Sequence, residues 1–122
     1  MKPILEYLFS KKSDLDKIKT TKSHLHDYDI VLTRKFGYFM VFMTKKFTPY
    51  TYKKLGFIVN SEYIRSLSDY DNNLKCKIDP EFDIVKIFRI EKPVSIDPEE
   101  ACNYDQLDLE RLLTMYPIVE LL

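Results

Sequence analysis

The sequence predicts an α+β fold: a mostly antiparallel sheet around a central hairpin over residues 28–45, with short helices packed on it. Three observations carry this. Two runs rich in β-branched and aromatic residues, Ile30-Val31-Leu32-Thr33 and Tyr38-Phe39-Met40-Val41-Phe42, flank Lys35-Phe36-Gly37. A glycine in the left-handed position is a common closure for a three-residue hairpin loop. Strand-like and helix-like stretches are interspersed, yet the helical ones are too short for regular crossovers between parallel strands. The 122 residues are 45% apolar and 14% aromatic, enough for one domain over 1–122 that buries roughly two thirds of its unfolded surface.

Each element has a local reason. Pro3 to Lys12 reads as a short helix, with proline at a first-turn position and Ile4, Leu5 and Leu8 on one stripe. Lys17 to Thr21 has only Ile18 apolar between lysines, as an edge strand would. In the hairpin, a loop at residues 35–37 sets Leu32 opposite Met40 and Ile30 opposite Phe42 on one face. Val31 then faces Val41, and Thr33 faces Phe39, on the other. Both faces are apolar, so the hairpin belongs at the centre of the sheet.

Thr48-Pro49 has the form of a helix cap and Gly56 that of a stop, giving a short helix over Pro49 to Leu55. Phe57 to Val59 reads as a strand. Ser61 opens a predicted helix to Tyr70, and Asp71-Asn72-Asn73 is a turn. Leu74 to Ile78 and Ile84 to Glu91 read as strands. Asp97-Pro98-Glu99-Glu100 starts a helix, and Asp105 caps a last one through Met115, with Leu109, Leu112 and Leu113 inward. Pro117 ends that helix. The apolar tail Ile118-Val119-Glu120-Leu121-Leu122 must pack on the core or on a partner.

Charge is sorted along the chain. The formal net charge is zero, but residues 1–61 carry 12 Lys/Arg against 5 Asp/Glu, while residues 79–122 carry 4 against 11. Such polarity steers a charged partner or is satisfied internally as one half docks on the other. The basic candidate surface is Lys45, Lys46, Tyr50, Tyr52, Lys53 and Lys54, with Arg34 and Lys35 at the hairpin tip extending it. Lysines neutralise phosphates and rings stack on single-stranded bases. The plainer reading is a solvated turn whose rings face the core. The acidic counterpart is Asp97, Glu99, Glu100, Asp105, Asp108 and Glu110. It either imitates phosphate spacing for a basic partner or is a well-capped, solvated helix face.

Little points to catalysis. The chain has two glycines, which nearly excludes a backbone cradle for phosphate, and it carries no nucleophile-elbow or zinc-protease motif. Glu81 and Asp83 are paired acids at strand spacing, but the neighbouring Asp79-Pro80 indicates a turn. His24-Leu25-His26 would put two imidazoles on one side of a strand, as some metal sites need. The spacing of Cys76 and Cys102 supplies no third ligand, and both read as free thiols. No metal or cofactor is expected. No apolar run approaches a membrane span, and the first residues do not read as a signal peptide. A cytoplasmic protein is expected.

Residue usage favours A/T-rich codons, with 15 Lys, 11 Ile and 9 Tyr but one Ala and no Trp. The segment Leu5-Glu6-Tyr7-Leu8-Phe9-Ser10-Lys11-Lys12 resembles the leader of many small uncharacterised proteins of gut Bacteroidetes phages. That leader precedes unrelated sequences, so the resemblance implies a phage setting and no site residues. Together these observations point to a non-enzymatic protein that binds another protein, a host or defence factor, through a charged or aromatic face. The alternatives are a nucleic-acid-binding accessory acting on single strands through 45–54, and a virion or assembly component. No membrane partner is expected, and the oligomeric state is open.

Overall fold

A computed structural model describes residues 22–45 and 56–122. β1 (Ile30–Thr33) and β2 (Gly37–Phe42) form the expected hairpin. With β3 (Phe57–Val59), β4 (Ile64–Ser66), β5 (Ile84–Ile90) and β6 (Ile118–Glu120) they make one antiparallel sheet in the order β4-β3-β2-β1-β5-β6. Two helices, α1 (Pro98–Ala101) and α2 (Gln106–Met115), lie between β5 and β6 in sequence. Single 3₁₀ turns occupy Lys22–His24, Leu67–Asp69 and Pro80–Phe82. The architecture is the expected α+β class, and the hairpin holds the two middle positions of the sheet.

The hairpin lacks apolar–polar alternation because both of its faces are covered. Ile30, Met40 and Phe42 join Phe57 and Val59 in a cluster closed by Ile96, Ala101 and Leu109 of the helical segment. Val31, Phe39 and Val41 face the other way. They meet Leu67, Tyr70, Leu74 and Phe82, which come from the mostly irregular chain between β4 and β5. Each of these large side chains, removed from water, contributes roughly 1.5–3 kcal/mol. The apolar tail packs on the protein's own core. β6 pairs with β5, Leu121 donates its N–H to the Ile87 carbonyl at 2.7 Å, and Leu121 and Leu122 lie against the second cluster.

The face assignment in the hairpin is as expected, but the register is not. Ile30 faces Met40, Val31 faces Phe39, Leu32 faces Tyr38 and Thr33 faces Gly37, a shift of two residues. A shift of two keeps every side chain on its face, so hydrophobic pattern cannot detect it. Bonds at the tip decide it. The Thr33 hydroxyl accepts from Phe36 N–H and donates to Gly37 O, while Arg34 and Lys35 donate their N–H groups to the carbonyls of Asp83 and Glu81. The tip backbone is thereby drawn out of the ladder, and Gly37 takes φ +77° to return the chain.

Two other expectations are corrected. The helix predicted from Ser61 to Tyr70 is β4 followed by the 3₁₀ turn Leu67–Asp69. Asn60 precedes it and accepts from the N–H groups of Glu62 and Tyr63 through Oδ1, making a tight turn that sends β4 back along β3. Pairing with β3 outweighs a weak local helix signal. The strand predicted from Leu74 to Ile78 shrinks to one bridge between Tyr70 and Cys76. Asp71 folds the preceding turn by accepting from Asn73 and Lys75, and Leu74 is left at φ +67°. The last helix forms as expected, closed by reciprocal capping between Asp105 and Asp108. The helices expected over Pro3–Lys12 and Pro49–Leu55, the strand over Lys17–Thr21 and the Leu5–Lys12 leader lie outside the described residues. Among the described residues, no helix is long and apolar enough to cross a membrane.

Candidate functional site at the hairpin tip

Three segments distant in sequence converge at the tip: Arg34–Phe36 of the hairpin loop, Tyr63–Arg65 at the start of β4, and the 3₁₀ turn Pro80–Phe82. The last is ordered by Asp79, whose side chain accepts from Glu81 N–H. Phe82 is buried and forms the base of the site. Phe36 stacks on it with ring centroids 4.1 Å apart and planes 20° apart. The Arg65 guanidinium carbon lies 4.0 Å from the Phe82 centroid. Two groups this close cannot share one face of a ring, so Phe82 is sandwiched between Phe36 and Arg65. Tyr63 meets the edges of both phenylalanines, at 5.2 and 5.4 Å, and remains 39% exposed. Aromatic pairs contribute about 0.5–1.5 kcal/mol each beyond area burial, and a partly desolvated cation–π contact about as much.

Ion pairs brace this platform. Arg34 Nη2 lies 3.4 Å from Asp83 Oδ2, and Lys35 Nζ lies 3.3 Å from Glu81 Oε2. Asp83 also accepts from Cys76 N–H at 2.7 Å. The acid pair Glu81 and Asp83 therefore fixes the hairpin tip. Tyr70 lies beneath, fully buried, and donates its hydroxyl to the Phe82 carbonyl at 2.7 Å. Burial, and next the neighbouring Cys76, push its phenol well above the usual range, so it stays a neutral structural donor. Arg34, Lys35 and Arg65 belong to the converging segments and the adjoining acids are Glu62, Asp79, Glu81 and Asp83, so the tip carries no excess of positive charge.

The structure does not gather the basic surface expected from the sequence. Arg34 and Lys35 lie at the tip, whereas Lys45 follows β2 at the opposite, open end of the hairpin. There it sits 3.9 Å from Asp97 and beside Tyr28. Lys46, Tyr50, Tyr52, Lys53 and Lys54 lie outside the described residues. Each described member of the basic set meets an acid from the C-terminal half, so part of the charge polarity is satisfied within the fold. Most of the acidic set has local duties too. Asp97 meets Lys45, Glu100 accepts from the Tyr104 hydroxyl at 2.6 Å, Asp105 and Asp108 cap α2, and Asp108 pairs with Arg111. Glu99 and Glu110 are exposed.

Cys76 is buried and Cys102 half-buried, both as free thiols. His24 and His26 are exposed, and among the described residues no group of three or more His, Cys, Asp or Glu could hold a metal ion. Phe36, Tyr63, Arg65 and Phe82 were not legible as a set, because no spacing joins them. Only Tyr63-Ile64-Arg65 carried a usable signal: alternation about an inward isoleucine places its outer members on one face of a strand. Compared with protein-family models, curated proteins and solved structures, the chain finds no match.

Proposed function

We propose that the protein acts by binding another protein, and that the Phe36–Tyr63–Arg65–Phe82 platform is the contact. One observation carries this: Tyr63, 39% exposed, stands over a pre-ordered stack in which half-buried Phe36 and Arg65 pack on buried Phe82. Tyr, Phe and Arg are the residues enriched at the centres of protein interfaces, where rigid anchors lose little entropy on binding. The mixed charges around it suit a mixed protein surface and offer no excess positive charge to a phosphate backbone. The phage-like leader extends the reading to a host or defence factor as the partner.

The test is site-resolved. A photo-crosslinking residue at position 63 should trap one protein from host lysate, and the same residue at exposed Asn73 should not. With that partner purified, Tyr63→Ala should weaken binding by about 10–100-fold, the range of an interface anchor, when measured well below a melting midpoint lowered by the loss of its contacts with Phe36 and Phe82. Equal trapping at both positions, or affinity indifferent to Tyr63→Ala, would remove the proposal. So would tight binding of single-stranded oligonucleotides with a salt slope near 0.7 per phosphate contact.

A further inference from the structure

The open end of the hairpin holds a second feature, independent of the platform. The chain enters β1 through a turn at His26–Asp29. Asp29 donates its N–H to the His26 carbonyl at 3.2 Å, and its carboxylate accepts from His26 N–H at 2.8 Å. Tyr28 takes φ +73° in this turn. A bulky side chain there is strained, and such strain concentrates at functional sites. Beside the turn is a pocket of about 240 Å³. That is below the roughly 300–1,000 Å³ of drug-sized sites, so it suits a small ligand.

Hydrogen-bonding capacity in this pocket is one-sided. Asp29 is 1% exposed and is held by Arg89 through both carboxylate oxygens, at 2.9 and 2.8 Å. Asp27 is engaged by the N–H groups of Met43 and Thr44 and by the Thr44 hydroxyl. Both acids lining the pocket thus have donors from the protein. The donors are not exhausted. Arg89 uses Nε and Nη2 on Asp29 and the His24 carbonyl, and Nη1 takes no part in these bonds. Lys92 lines the pocket, is exposed and has no partner among the described residues. Ile90, Pro93 and Val94 supply an apolar wall.

We propose that this pocket binds a small carboxylate with a short apolar body. The carboxylate meets Arg89 Nη1 and Lys92, and the body lies on Ile90, Pro93 and Val94. One carboxylate oxygen can accept from Arg89 Nη1, the nitrogen left over by Asp29 and the His24 carbonyl, and the other from Lys92 Nζ, so the ligand uses donors that the pocket's own acids leave free.

Amide NMR titrations of the intact protein with isovalerate, acetate and inorganic phosphate test this. Isovalerate should produce saturable shifts confined to His26, Tyr28, Arg89, Lys92 and Val94, and should bind more tightly than acetate or phosphate. Lys92→Gln, at an exposed position, should weaken it about tenfold, the loss of one charge-assisted hydrogen bond, with the rest of the spectrum unchanged. Absence of localised shifts, or shifts indifferent to Lys92→Gln, would overturn the site. Tighter binding of phosphate, or equal binding of acetate, would overturn the ligand class. None of these outcomes touches Tyr63, so failure here leaves the protein-binding reading standing, and the reverse.

Discussion

The two ends of one hairpin are sealed by different forces. At the tip, stacked rings and a guanidinium hold three segments together, and the cations stay at the surface: the Lys35 and Arg34 side chains are 65% and 51% exposed, although Arg34's partner Asp83 is buried. At the open end the seal is ionic and inward. Asp29 is buried, and the Arg89 side chain above it is 27% exposed. An aromatic seal tolerates salt and acid because its energy comes from area and quadrupoles. A buried ion pair is rigid and specific, but it leaves an uncompensated charge when one partner is lost. The tip is therefore built to stay ordered while presenting a surface, and the open end to keep polar groups fixed around a pocket.

The largest expected effect lies at the open end. Arg89→Ala strips the bidentate partner from Asp29 and should cost about 3–5 kcal/mol, read as a lower urea midpoint at unchanged slope. A loss below about 1 kcal/mol, the range of exposed pairs, would mean that water already serves Asp29 and that the contrast between the ends is false.

Acid should separate the ends next. Burial by itself would raise the Asp27 carboxyl. Its hydrogen bonds from Thr44 and from the N–H of Met43, with Lys45 nearby, outweigh that and hold it below its ordinary value. A folded-state value below the unfolded one gives stabilisation that is complete above the unfolded value, near 3.8, and is lost as pH falls through the folded one. Asp27→Asn should therefore cost about 1 kcal/mol at pH 7, and the difference from wild type should close below about pH 4. Urea melts of both proteins at several pH values between neutrality and strong acid check this. A gap that widens in acid would reverse the sign.

The smallest effect belongs to the tip charges. Lys35→Gln should cost about 0–1 kcal/mol, and less at 1 M salt, where screening acts within roughly 3 Å. A larger or salt-independent loss in thermal melts would show that the Lys35–Glu81 pair, rather than the ring stack, fastens the loop.

The same contrast governs what was readable in advance. The hairpin, β3, β5, the capped last helix and its inward leucines follow from local chemistry: β-branched runs, a glycine that accepts positive φ, and a carboxylate cap with its reciprocal partner. β4 was misread because Ser61 is a plausible cap by itself. Its fate was settled by a turn at Asn60 and by β3 beside it, and pairing energy of that kind is absent from a local window. The register was misread for a related reason. Hydrophobic pattern has period two, and the bonds that break the tie come from Glu81 and Asp83, some fifty residues away.

By itself, then, the sequence determined the α+β class, the central place of the hairpin, the faces of its strands and the opposed charges of the two halves. These rest on side-chain size, periodicity and count. The tertiary structure decided where the charges meet, which rings become a platform, and that Asp29 lies buried beneath Arg89. Those outcomes depend on loop closures that bring residues 36, 63 and 82, or 29 and 89, within a few ångströms. No property of the separate segments encodes such distances, because the free energy that sets them exists only when the whole sheet is assembled.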